Sequence, residues 1–144
     1  ADCLCSYYYY SLRHDKNQKN DKGIDEFCLE RLEEWCFHVT TYISYQEKNP
    51  ESIIFLSYEK LSYNPVKVLN YLVEFLGWEN SQSVCQKSVD NQDFNKLHAT
   101  SKVFFRKGKI NSSQEELYPE TLRIIQEKAM PIYRNASAFE PIVP

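Results

Sequence analysis

Glycine is scarce: the 144-residue chain holds 3. With aromatics at 15%, that composition argues against a turn-rich all-β sandwich and suits helices. Long apolar runs are missing as well. The longest are only a few residues, so no segment of this sequence can span a bilayer as a helix. A basic excess is lacking too, because 17 Lys+Arg face 20 Asp+Glu, for a net charge of -3. Coating nucleic acid needs surplus cations to displace counterions, so the balance argues against that function, and no nucleic-acid or membrane partner is expected. A local basic pocket for one small anion stays compatible with the balance. Zinc-type CxxC spacing is absent among Cys3, Cys5, Cys28, Cys36 and Cys85. An odd number of cysteines also does not suit a secreted disulfide framework. Reduced, buried thiols in a cytoplasmic protein are the plainer reading. His14, His38 and His98 show no metal-ligand spacing, and no metal is expected. The chain begins at Ala1 with no signal-peptide pattern. The sequons at Asn111 and Asn135 carry meaning only in a secreted chain.

What is present is enough apolar residue, 42%, to build a core, on a length that starts from a prior of one domain. Leu4, Tyr7, Tyr8 and Leu12 recur at helical spacing and predict a widely buried helix over Asp2 to Arg13. A polar loop follows from His14 to Lys22. After Gly23, Phe27, Leu32, Trp35, Phe37, Val39, Tyr42 and Ile43 predict a long helix with a break near Trp35, ended by Asn49-Pro50. Ile53-Ile54-Phe55-Leu56 is continuous rather than alternating. It predicts a strand over Ser52–Ser57 buried on both faces, as in a parallel sheet. Asn64 then reads as an N-cap, Pro65 as the first helical residue, and Leu69, Leu72, Val73 and Leu76 as a stripe. Gly77 reads as the residue that stops this helix. Shorter helical pieces are predicted over Ser81 to Val89 and Phe94 to Ala99. Pro119 opens a last helix carrying Leu122, Ile125, Ala129 and Met130, with an irregular tail from Pro131. One strand alone would leave its backbone groups unpaired, so the rest of its sheet has to come from elsewhere.

Phe104-Phe105-Arg106-Lys107-Gly108-Lys109 is the most informative local run. Arg offers a bidentate fork for phosphate, Lys a point charge, and Gly a backbone that an oxyanion can approach closely. Taken without context, such a run reads first as a solvated basic loop.

The order of segments resembles the C-terminal half of the cytosolic-type sulfotransferases, which use 3′-phosphoadenosine-5′-phosphosulfate (PAPS). Asp2-Cys3-Leu4-Cys5-Ser6-Tyr7-Tyr8 looks like the family's D-x-x-x-S-Y-Y helix. Gly23 to Cys28 is similar to its G-x-x-E-F-C segment, and Trp35 to Val39 to its W-x-x-H-V stretch. Ile53 to Leu61 resembles the strand ending in Y-E-D-L/M. Asn64-Pro65 with Val73 to Gly77 resembles the next helix and its E-F-L-G ending. Phe105-Arg106-Lys107-Gly108 matches the family's R-K-G loop.

The resemblance implies an α/β, P-loop-NTPase-like sulfotransferase fold, with residues 1–144 forming its helix-rich C-terminal part. It also implies roles. Ser6 would donate its hydroxyl to the 3′-phosphate, or simply face water. Arg106 would grip the same phosphate, with Lys107 and the Gly108 backbone beside it. Tyr58 would bond to adenine, or else be a core tyrosine. Phe94 would lie near the adenine. Tyr10 would form a wall of the acceptor pocket, or pack in the core. None of these residues is assigned catalysis.

Two departures qualify the match. The family's loop continues R-K-G-x-x-G-D-W-K, whereas here Lys109-Ile110-Asn111-Ser112-Ser113-Gln114 follow Gly108. The family's Y-P-K-S-G-T-T-W phosphate loop, its catalytic His and its R-N-P are not in the sequence. By resemblance, R-N-P would fall just before Ala1. The implied parent activity is sulfonyl transfer from PAPS to a hydroxyl or amine of a small-molecule acceptor, leaving the bisphosphate PAP. On this reading the chain needs the N-terminal half of the same domain, is inactive alone, and resides in the cytoplasm; a homodimer is left open. The alternative is a truncated, non-catalytic nucleotide-binding or interaction module. A nucleotide kinase is a third reading, which lacks its GxxxxGK[ST].

Overall fold

The computed structural model describes residues 1–14, 22–79, 82–92 and 107–141. Among them are six α-helices: α1 Asp2–His14, α2 Ile24–Lys48, α3 Tyr58–Tyr63, α4 Pro65–Phe75, α5 Gln82–Asn91 and α6 Pro119–Ser137. A 3-10 turn covers Ser112–Glu115. No strand occurs among the described residues, which overturns the α/β expectation and the parallel strand over Ser52–Ser57. A strand is held by the N–H and C=O groups of a neighbouring strand, and the described residues provide none. Ile53 to Leu56 instead run as an irregular, half-buried segment between the turn after α2 and the start of α3.

The chain divides into two compact units. The first is Ala1–Ile54 with Lys109–Phe139. Its core joins Leu4 and Cys5 of α1, Cys28 and Leu32 of α2, Leu117, and Ile125 of α6. Helix α1 buries a narrow face rather than a wide one. Leu4 and Cys5 are inside, while Tyr7, Tyr10 and Leu12 are exposed. Tyr7 and Tyr8 each meet Phe27 of α2 edge-on, with ring centroids 5.4 Å apart. Helix α2 passes Trp35 without a break. No Gly or Pro interrupts residues 24–48, so nothing there stops the helical hydrogen bonding. Its predicted apolar face is only partly used: Phe27, Leu32 and Ile43 are buried, Phe37 and Tyr42 exposed.

Helix α6 corrects the tail expected from Pro131, because that residue lies inside the helix. A mid-helix proline removes one N–H and releases one carbonyl. The carbonyl it releases is that of Glu127, an exposed residue that water can reach, and the buried residues Thr121 and Ile125 anchor the helix upstream. All five thiols are free, and Cys5, Cys28 and Cys85 are buried. A hydrogen bond with Cys5, together with burial, pushes the Cys28 thiol up, so it keeps its proton at neutral pH.

The second unit is Phe55–Gly108 with Glu140–Pro144. Val68 of α4 and Cys85 of α5 are its buried residues among those described. The expected stripe of α4 is half-buried at Leu69, Leu72 and Val73 and exposed at Leu76. Both ends of α4 follow the sequence reading. Asn64 is the N-cap and Pro65 the first helical residue. At the other end the Gly77 N–H bonds the Glu74 carbonyl at 2.9 Å, and the Trp78 N–H bonds the Val73 carbonyl at 3.1 Å. This Schellman pair requires a left-handed residue, and Gly77 has φ 68. A Cβ at Gly77 would meet nothing within 4 Å. The cost of Gly77→Ala is therefore conformational alone, and about 1 kcal/mol of stability should be lost in thermal denaturation. An unchanged melting temperature would refute this account of the cap.

Candidate functional site

Ser6 lies one turn inside α1 and is exposed. The helix dipole acts chiefly in the first turn, so the side-chain hydroxyl is the group Ser6 can offer an anion. Tyr10, four residues on, is half-exposed and does not belong to the core. Tyr58 is the first residue of α3, directly after the N-cap Ser57, whose hydroxyl accepts the Lys60 N–H at 3.4 Å. With 54% of its surface exposed, Tyr58 is not a core tyrosine. Within the same unit, Lys60 is held by Glu140 at 2.7 Å, and its ammonium also donates to the Pro141 carbonyl at 3.2 Å.

Phe94 and Arg106 lie outside the described residues. Lys107 is half-buried. Gly108 is exposed with φ 57, a left-handed conformation that a side chain disfavours. A backbone of this kind lets an anion approach its N–H groups closely. Lys109, the third cation of the run, is paired with Glu115 instead of projecting as an unengaged charge. Ser6 and Tyr10 belong to the first unit; Tyr58, Lys107 and Gly108 belong to the second.

Two residues that sequence reasoning left without a role organise the segment after Gly108. Asp2, at the start of α1, accepts the Asn111 N–H at 2.7 Å and the Ser113 N–H at 2.8 Å. Partial burial pushes its carboxyl up. The hydrogen bonds from the Ser113 hydroxyl and from the two backbone N–H groups outweigh that and hold it below its usual value. Asp25, in the first turn of α2, accepts the Tyr118 N–H at 2.8 Å, just ahead of α6. Asn111 itself is left-handed, with φ 62, and Ser112 and Ser113 are buried. A sequence gives no spacing signal for such contacts, because the partners are 93 to 111 residues apart.

Among the described residues no group of His, Cys, Asp and Glu could hold a metal ion. No helix of the described chain is long and apolar enough to cross a membrane. A depression along α2 is lined by Phe37, Thr41, Tyr45 and Lys48.

Comparison with known proteins matches residues 1–130 to the sulfotransferase domain family. Cytosolic sulfotransferase 17 of Arabidopsis thaliana is 28% identical over 69% of this chain and 36% of its own length. Cytosolic sulfotransferase 7 of the same plant is 28% identical over 86% of this chain and 45% of its own length. Cytosolic sulfotransferase 6 is 26% identical over 88% of this chain and 47% of its own length. The chain thus spans less than half the length of the curated relatives it matches. No solved structure matches it. With the R-K-G run, the Ser6 helix and most of the chain inside one matched region, the protein belongs to the sulfotransferase family.

Proposed function

We propose that this chain forms the 3′-phosphate and adenine part of a PAPS site, in a protein that transfers a sulfonate group to a hydroxyl or amine of a small-molecule acceptor. The family match over residues 1–130 carries the reading. The donor set suits the nucleotide: the Ser6 hydroxyl, the Arg106 fork, Lys107 and the N–H groups around left-handed Gly108 are all anion donors. Tyr58, half-exposed at the start of α3, offers a ring and a hydroxyl to the adenine, with Phe94 beside it. Tyr10, half-exposed on α1, would wall the acceptor side. PAPS, when bound, supplies the sulfonate and leaves as PAP. This chain's residues bind and orient the nucleotide, and none of them takes the acceptor's proton. That proton needs a base, and the 5′-phosphosulfate needs a loop, from the part of the family's domain outside this sequence. A cytoplasmic location belongs to the same reading, supported by the names of the relatives.

A non-catalytic nucleotide-binding module is the second reading. It is favoured by the lost Gly-Asp-Trp and by the pairing of Lys109 with Glu115. Both readings require that PAP bind. Saturating PAP should raise the melting temperature, because a ligand that binds only the folded chain stabilises it by mass action. No shift at millimolar PAP would refute both.

A further inference from the structure

Helix α3 has six residues and buries none of them. A helix this short gains little from its own hydrogen bonds, so tertiary contacts have to hold it. One such contact comes from far along the sequence. The Lys60 ammonium meets a Glu140 carboxylate oxygen at 2.7 Å and donates to the Pro141 carbonyl at 3.2 Å, 81 residues away in the chain. Both partners belong to the same compact unit as α3. An ion pair on open surface contributes little. Here the Glu140 side chain is only 8% exposed, and a buried carboxylate stripped of its cation is costly. One ammonium thus fixes a side chain and the backbone carbonyl next to it. The pair also departs from the family pattern. Lys60 stands where the Y-E-D-L/M stretch has Asp, and Glu140 lies beyond the matched residues 1–130. An Asp in place of Lys60 would repel Glu140 instead of pairing with it.

We propose that Lys60 and Glu140 are positioning residues for Tyr58, clasping the first turn of α3 so that the tyrosine is presented to the adenine base. The inference rests on the PAPS reading above. Tyr58 and Lys60 share that turn, and its N-cap Ser57 accepts the Lys60 N–H at 3.4 Å. Tyr58 is half-exposed, so packing of its ring does not fix it, and the helix backbone sets where it stands. Holding Lys60 from outside the helix lowers the conformational entropy lost when Tyr58 is ordered on a base. Lys60 and Glu140 act through the helix and not on the ligand.

Glu140→Gln keeps the shape of the side chain and leaves no buried charge stranded. Binding of PAP and of its uridine counterpart, 3′-phosphouridine 5′-phosphate, should be measured on the full chain by calorimetry, alongside amide hydrogen exchange. The clasp predicts faster exchange at Leu61 and Asn64, whose N–H groups bond the Ser57 and Lys60 carbonyls. It also predicts PAP binding weakened by about tenfold, with most of the preference for PAP over the uridine compound lost. Should Glu140→Gln fail to fold, Lys60→Gln breaks the pair from its more exposed side and carries the same test. Lys60→Arg keeps the cation and should keep the preference. Equal losses for both nucleotides, an unchanged preference, or a Lys60→Arg protein as impaired as Lys60→Gln overturns the inference alone. A wild-type protein that binds both nucleotides alike, or a preference that survives Tyr58→Ala, overturns the assignment of Tyr58 to adenine and this inference with it.

Discussion

Leu32→Ala should lower the unfolding free energy by about 3 kcal/mol, because it deletes three buried carbons and leaves a cavity that its neighbours only partly fill. Leu32 is 1% exposed. It sits in the cluster that joins α1 through Leu4 and Cys5, α6 through Ile125, and Leu117 ahead of α6. The loss should therefore fall on the whole first unit rather than on α2 alone. Chemical denaturation would read it as a shifted midpoint with an unchanged slope. Phe37→Ala is the control. That ring is 71% exposed, on the same helix, and its removal should change stability by no more than about 0.5 kcal/mol. Equal effects at the two positions would contradict the core described here.

Arg106→Ala should weaken PAP binding by about 2 kcal/mol, the scale of a charge-assisted hydrogen bond. That corresponds to about thirtyfold in Kd. The effect should be confined to ligands with a 3′-phosphate, because the guanidinium is assigned to that group and not to the base. Arg106→Lys keeps the charge but loses the planar fork, so it should fall between the two. AMP binding should be untouched by either change. An Arg106→Ala protein that binds PAP as tightly as the wild type would remove this residue from the site.

Where local chemistry decides the conformation, the sequence was easy to read. Asn64, Pro65 and Gly77 bound helix α4 where the sequence places them, although the Asn64 side chain makes no capping hydrogen bond, and the helical spacing of Leu4, Tyr7, Tyr8 and Leu12 marks α1. Spacing alone does not fix which face of a helix is buried. Tyr7 and Leu12 share the spacing of Leu4 but not its burial, because α2 and the Ser112–Glu115 turn cover only one side of α1. The run Ile53 to Leu56 misled for a different reason. A short continuous apolar stretch has no periodicity to separate a strand from any other buried segment, and a strand needs partners that the described residues do not supply. The family resemblance singles out Ser6, Tyr58 and Gly108, and its R-K-G run points to the loop. It assigns no role to Asp2 or Asp25, whose acceptor roles depend on residues far along the chain. Nor could it foresee that Glu115 engages Lys109.

The central claim is a site for the 3′-phosphate of an adenine nucleotide. Calorimetric titration of the protein with PAP and with AMP tests it most directly. The account predicts PAP binding at least tenfold tighter than AMP, with the preference abolished in Arg106→Ala. Equal affinities for the two nucleotides, or a preference that survives the loss of Arg106, would contradict it.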